Sequence, residues 1–414
     1  MRIGVSCSDL SGEHHAALLV DALGEKLAGA GMDISVFGLG SERLKATGAE
    51  LFEDVAEWSA IGAVSNAISF GRLLIKRKKS PAGLIDDFVK FLIARSPDVI
   101  ILVDSRVLNL AVAKELRKAG YEGKIVFHVA PVVWESCFDP AFFDREESLA
   151  RFAEYKGLID FFFLIYPVSL AAYEKLGLPH LFIGHPMEPI ARPTLAREKF
   201  ARVTRCNPPL DPAQNWIGLF PGSRWEEIKV IAPVMLDAAR NLADRYRDLQ
   251  FLLPVAHSAF YDHLSELLDK KLLADRCALL SHETVPDVIC GSRTIIAKSG
   301  TVLHLATLAS VPMVMVYDFN PLQKWVGTKL LRFALKYYAF PNIIANKAVV
   351  PELVGNEFTA ENISVEASHL IYDAGRLNKM KADLSEVREK IVRPDPLGMA
   401  AAKILELAGM PGLQ

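Results

Sequence analysis

The chain runs twice through one pattern: short apolar, β-branched runs, each followed by a stretch with helical spacing. In the first round the runs are RIGVS, DISVFGLG, DVIILVD, KIVFHVAP, DFFFLIYP and LFIGHP; in the second they are WIGLF, FLLPV, CALLS, TIIAKSG and PMVMVY. A strand that is apolar throughout must be covered on both faces, so such strands alternating with helices predict a parallel sheet with helices on either side. After Gly184-His185-Pro186 the alternation breaks through MEPIARPTLAREKFARVTRCNPPLDPAQN, whose proline and polar residues suit a linker. The fold expected is therefore α/β, with two doubly wound, Rossmann-like domains and a cleft for ligands outside the carboxyl ends of their strands. A length of 414 residues exceeds one ordinary core and agrees with two domains. The expected boundaries are 1–190, 191–382 and, for terminal helices packing back on the first domain, 383–414.

A net charge of -2 gives no global attraction to polyanions, and no nucleic-acid partner is expected. Cys7, Cys137, Cys206, Cys277 and Cys290 are scattered without CxxC spacing and read as reduced thiols. The start, MRIGVSCSDL, is too short and too weakly charged for a signal peptide, so a cytoplasmic location is expected. One uncharged span, Ser299 to Tyr317, reaches the length of a membrane helix, about 20 residues. It opens on Ser-Gly-Thr, carries His304 and is broken by Pro312, which predicts loop, helix and strand instead.

Three segments turn from a strand end into a helix: SDLSGEHH, PGSRWEE and KSGTVLH. Each combines glycine, which lets the backbone approach a ligand, with a hydroxyl that caps a helix or binds an oxygen. The candidates there are Asp9, Ser11, Gly12 and Glu13 in the first, Gly222, Ser223 and Arg224 in the second, and Ser299, Gly300 and Thr301 in the third. In the last two, free N–H groups at a helix start favour an anion, and the Arg224 fork suits a diphosphate. The same residues also serve as plain turn and capping chemistry, and spacing alone leaves both readings open. Asp104 follows DVIIL at a strand's carboxyl end, as a general base or as a helix cap. His14-His15 lacks metal-ligand spacing and there is no Asp-x-Asp pair, so neither a metal nor a cofactor is expected. Two stretches mix apolar residues with cations: Ile61 to Ser80, with Arg72, Lys76, Arg77, Lys78 and Lys79, and QKWVGTKLLRFALKYY, with Trp325. They suit a membrane surface bearing anionic lipid, or else ordinary solvated helices with a core face.

Taken in order, Ser11-Gly12, Asp104 with Asn109, VVW at Val132 to Trp134, FIGHPM, FPGSR, SGT and FPNIIANKAVVPEL resemble the lipid-A-disaccharide synthase family. The resemblance implies a GT-B glycosyltransferase fold and an inverting transfer. A UDP-activated diacylglucosamine would donate to the 6-hydroxyl of a diacylglucosamine 1-phosphate, giving the β-1,6 disaccharide of lipid A. It implies Asp104 as the base, Ser223, Arg224 and Ser299 to Thr301 on the nucleotide side, and Asn342, Lys347 and Glu352 as further substrate ligands. It also implies a lipid-linked acceptor and peripheral attachment to the inner face of the bacterial inner membrane. The chain departs from the family pattern at Arg106 and Val107, at Glu135 and Ser136, at Lys347 for arginine, and at Leu305 where an acid for the ribose is expected. A UDP-sugar epimerase of the same fold and a non-catalytic nucleotide-binding paralogue remain the alternatives, and the oligomeric state is left open.

Overall fold

The computed structural model describes residues 1–8, 10–54, 81–132, 142, 145–318 and 336–410; of residues 10, 81, 147, 149 and 151 it describes the backbone alone. Asp9, Arg72, Lys76, Arg77, Lys78, Lys79, Trp134 and Trp325 lie outside the described residues. The chain forms two compact units, Met1–Pro186 with Arg393–Gln414, and Met187–Val392.

The first unit is built on seven parallel strands: β1 (Arg2–Ser6), β2 (Ser35–Gly40), β3 (Glu50–Asp54), β4 (Val99–Val103), β5 (Lys124–His128), β6 (Phe161–Leu164) and β7 (His180–Phe182). Their order is β3-β2-β1-β4-β5-β6-β7. Every residue of β4 is buried, which is why VIILV has no polar alternation. Ser6 pairs with Leu102 and Val103 with His128, so β1, β4 and β5 end level with one another. The order reverses between β1 and β4, the point from which loops diverge around a ligand site. The helix Pro396–Leu407 packs on the helix Leu10–Gly29, so the chain's end belongs to this unit. Residue 383, the expected start of the terminal segment, falls inside the helix Ala374–Ile391 of the other unit.

The second unit holds β8 (Asn215–Phe220), β9 (Leu249–Val255), β10 (Cys277–Ser281), β11 (Thr294–Lys298), β12 (Met313–Tyr317) and β13 (Glu352–Val354), all parallel, in the order β10-β9-β8-β11-β12-β13. Ala297 pairs with Phe220, so the loops after β8 and β11 leave the sheet side by side at its reversal point. The uncharged span after Lys298 divides into a loop, the helix Thr301–Leu308 and β12. Among the described residues no helix is long and apolar enough to cross a membrane.

The segment after Pro186 is not the linker that its composition suggests. Asp287 is only 5% exposed, and its carboxylate accepts from the Thr194 and Leu195 amides at 2.7 and 2.9 Å and from the Thr194 hydroxyl at 2.6 Å. A buried carboxylate needs such donors, and supplying them fixes the segment to the second unit. The Arg197 guanidinium lies 4.2 Å from the Trp216 ring and ties it down further.

Candidate active site

In the first unit the structure brings together the ends of β1, β4 and β5. Asp104 stands exposed just beyond β4, and its amide donates to the His128 carbonyl at 3.0 Å. Asp104 and Ser105 both take left-handed backbone conformations, with φ of 52° and 36°. Such a residue costs on the order of 1–3 kcal/mol and persists only where its surroundings over-determine it. Asn109 provides that restraint. Fully buried, it donates from Nδ2 to the carbonyls of Val103 at 2.9 Å and Asp104 at 2.8 Å, while its Oδ1 accepts from the Ser6 hydroxyl at 2.7 Å.

Burial, with the charge of Asp104 second, pushes the Tyr166 phenol far up, so it stays neutral. Its hydroxyl lies 3.5 Å from Nε2 of the buried His185. Burial also pushes His128 down to about 3. Neither group takes up or gives up a proton near neutrality, whereas an exposed carboxylate at this strand end is suited to accept one.

In the second unit, the turn after β8 and the turn after β11 meet through one carboxylate. Glu227, in the first turn of the helix Trp225–Arg245, lies 2.9 Å from Lys298 Nζ and 3.4 Å from Arg224 Nη1, and accepts from the Ser223 amide at 3.3 Å. Gly222 has φ of 126°, and a Cβ there would come within 2.6 Å of Glu227 Oε2. Glycine takes that backbone readily where other residues are strained, and a side chain there would also push Glu227 aside. Arg224 stands at the N-cap position of the helix without a side-chain cap bond and keeps its side chain half exposed, while Ser299 and Gly300 lead into the helix Thr301–Leu308. Two cations and an amide thus converge on one carboxylate beside two helix starts, donors of the kind that suit an oxyanion.

Other expected ligands are engaged elsewhere. Ser11 and Gly12 already sit in the first turn of the helix, which begins at Leu10. Glu13 is fully buried and accepts from the Ser41 amide at 2.6 Å, the Ser41 hydroxyl and the Leu44 amide at 2.9 Å. It caps the short helix Glu42–Ala46 rather than offering oxygens to a sugar. Glu352 likewise accepts from the amides of Tyr338 at 3.0 Å and Ala339 at 2.8 Å at the start of the helix Phe340–Ala345. Buried Asn342 donates to Glu352 and to the Val350 carbonyl and accepts from the Val349 and Val350 amides, which uses its whole bonding capacity. Lys347 is paired with Asp383 at 2.9 Å and Glu386 at 3.1 Å. Leu305 is one of the buried, core-facing residues of the helix Thr301–Leu308. Lys298 and Glu227 are the site residues that the sequence reading passed over. A lysine ending an otherwise apolar strand, directly before Ser-Gly-Thr, was the available signal. Among the described residues no group of three or more His, Cys, Asp or Glu side chains is arranged to hold a metal ion.

The family model for lipid-A-disaccharide synthetase matches residues 3–401. Lipid-A-disaccharide synthase of Geobacter metallireducens is 31% identical over 408 residues, covering 99% of this chain and 97% of the relative. Among solved structures, the UDP-GlcNAc 2-epimerase of Neisseria meningitidis bound to UDP-GlcNAc aligns with a TM-score of 0.55 at 12% identity, over 98% of each chain. The calicheamicin glycosyltransferase CalG4 aligns at 0.57 and 14% identity, over 99% of this chain and 98% of its own. At such identities the structural likenesses speak for the fold, a two-domain α/β architecture that glycosyltransferases and epimerases share. The full-length family match decides between them: this chain belongs to the lipid-A-disaccharide synthase family of glycosyltransferases.

Proposed function

We propose that the protein transfers diacylglucosamine from UDP to the 6-hydroxyl of a diacylglucosamine 1-phosphate, with inversion, in lipid A biosynthesis. The observation that carries this reading, beside the family match, is an exposed carboxylate, Asp104, held at the carboxyl end of β4 by a buried asparagine. In this mechanism Asp104 accepts the proton of the acceptor hydroxyl as the oxygen attacks the anomeric carbon of the donor. The bond from that carbon to the diphosphate breaks, and its electron pair leaves with UDP. The departing charge is stabilised by Arg224, the Ser223 amide and the helix starts at Trp225 and Thr301. A general base of this kind contributes about 10²–10⁴-fold.

The mixed basic and apolar stretches, Ile61 to Ser80 and the one around Trp325, support a membrane-facing role. On this reading Arg72, Lys76, Arg77, Lys78, Lys79 and Trp325 meet anionic lipid where the acylated acceptor resides. The test is a split between turnover and binding. Asp104→Asn should remove turnover and leave UDP affinity within about twofold of the parent. Normal turnover in that variant would remove Asp104 from the mechanism.

A further inference from the structure

Beside the Pro-Gly-Ser-Arg turn stands a second cation, Lys298, and it is nearly buried. Lys298 is 15% exposed at its side chain and Glu227 is 16% exposed. A lysine ammonium is strongly hydrated and is seldom withdrawn from water without a partner. Here it is held at the exit of β11, 2.9 Å from Glu227 Oε1, with the Tyr317 ring 5.5 Å from Nζ. Burial first, and the Glu227 charge after it, push the Tyr317 phenol up, so Tyr317 stays neutral. Glu227 itself lies where an anion would be expected. Its two oxygens take Lys298, Arg224 and the Ser223 amide, the groups that a diphosphate would engage. The cluster, two cations and one carboxylate, carries a surplus positive charge, and it stands at two helix starts that also favour an anion.

We propose that Lys298 is a second ligand of the donor diphosphate, and that Glu227 is an internal carboxylate occupying the phosphate position until the nucleotide displaces it. The proposal rests on the reading of the Pro-Gly-Ser-Arg turn as the diphosphate clamp. Before binding, Glu227 keeps Lys298 and Arg224 directed at one point, which lowers the ordering that the ligand must impose. On binding, the phosphates take over those donors, and the Glu227 side chain turns toward solvent to escape like-charge repulsion.

The sign of one substitution separates this role from that of a supporting residue. Glu227→Gln removes the competing charge while keeping the shape, and should tighten UDP binding by roughly threefold to tenfold in calorimetric titration. Lys298→Met should weaken it roughly tenfold or more. Because Lys298→Met leaves Glu227 without the nearer of its two cations, the double variant Glu227→Gln with Lys298→Met is measured beside it; it should bind UDP roughly tenfold more weakly than Glu227→Gln alone. Unchanged or weaker UDP binding in Glu227→Gln would overturn the displacement role, and equal affinities in the double variant and Glu227→Gln would overturn Lys298 as a ligand. Arg224→Ala tests the underlying clamp separately: unchanged UDP affinity there would remove the clamp itself, whatever the other variants do.

Discussion

Asn109 donates from Nδ2 to the carbonyl of Asp104 at 2.8 Å, and through this bond a fully buried side chain fixes the backbone of an exposed one. The same amide group holds the Val103 carbonyl, and its oxygen holds the Ser6 hydroxyl on the neighbouring strand. The position of the proposed base is thus set by a hydrogen-bond network that spans β1 and β4.

If Asn109 positions Asp104, Asn109→Ala should lower kcat by about 10²-fold, since small misplacements of a reacting group carry penalties of that size. UDP affinity should stay at the parent value, because the nucleotide ligands belong to the second unit. The variant should also lose about 2–3 kcal/mol of stability from the unsatisfied carbonyls and hydroxyl. A stability loss with kcat intact would show that Asn109 supports the fold without tuning the base.

Asn342 and Glu352 should behave as structural residues. Removing the Asn342 side chain strands two amides, one carbonyl and the Glu352 partnership, and Asn342→Ala should cost about 2–4 kcal/mol in denaturant unfolding. For the protein that remains folded, UDP affinity is expected to be unaltered. A parental unfolding midpoint combined with weakened UDP binding would instead return Asn342 to the ligand set.

Stability should fall on the acidic side of neutrality. Burial holds His128 down to about 3 and His304 down to about 4, against an ordinary value of 6.5. Below 6.5 the unfolded chain binds a proton at each of these positions that the folded chain refuses. Stability is therefore complete above 6.5 and drains by about 1.4 kcal/mol per pH unit per histidine as pH falls toward the folded values. Urea unfolding at pH 7.5 and pH 5.0 measures this, and His128→Leu should shrink the difference between the two by about 2 kcal/mol. An undiminished difference would mean that His128 is protonated in the folded protein.

Membrane attachment is open to direct measurement. The parent should co-sediment with vesicles containing phosphatidylglycerol, and far less with neutral vesicles, since each basic residue near an anionic surface contributes about 1 kcal/mol. Replacing Lys76, Arg77, Lys78 and Lys79 with glutamine should abolish most of that binding. Equal binding by parent and variant would assign the attachment elsewhere or remove it.

Much of the fold was legible because buried parallel strands carry an unmistakable composition, and the turns after β4, β8 and β11 announced themselves as polar breaks at strand ends. The edge strands β3 and β13 escaped notice. ELFED is half-exposed and bracketed by acids, and ELV is too short to carry a pattern. The site was less legible for a different reason. An acid in a motif does not reveal whether it faces a ligand or a backbone amide. The partners of Glu13 lie at Ser41 and Leu44, and those of Glu352 at Tyr338 and Ala339, so only the folded chain shows that both are caps. Lys298 and Glu227 were hidden likewise, since their pairing joins two turns that sequence separates and the sheet order brings together.

The central claim is tested most directly by UDP release from UDP-diacylglucosamine in mixed micelles, with and without diacylglucosamine 1-phosphate. Release that requires the acceptor, yields the disaccharide and disappears in Asp104→Asn is the expected result. Tight UDP binding with no release in the presence of both substrates would contradict it, and would mean that this chain kept the fold and the nucleotide site of its family without the transfer.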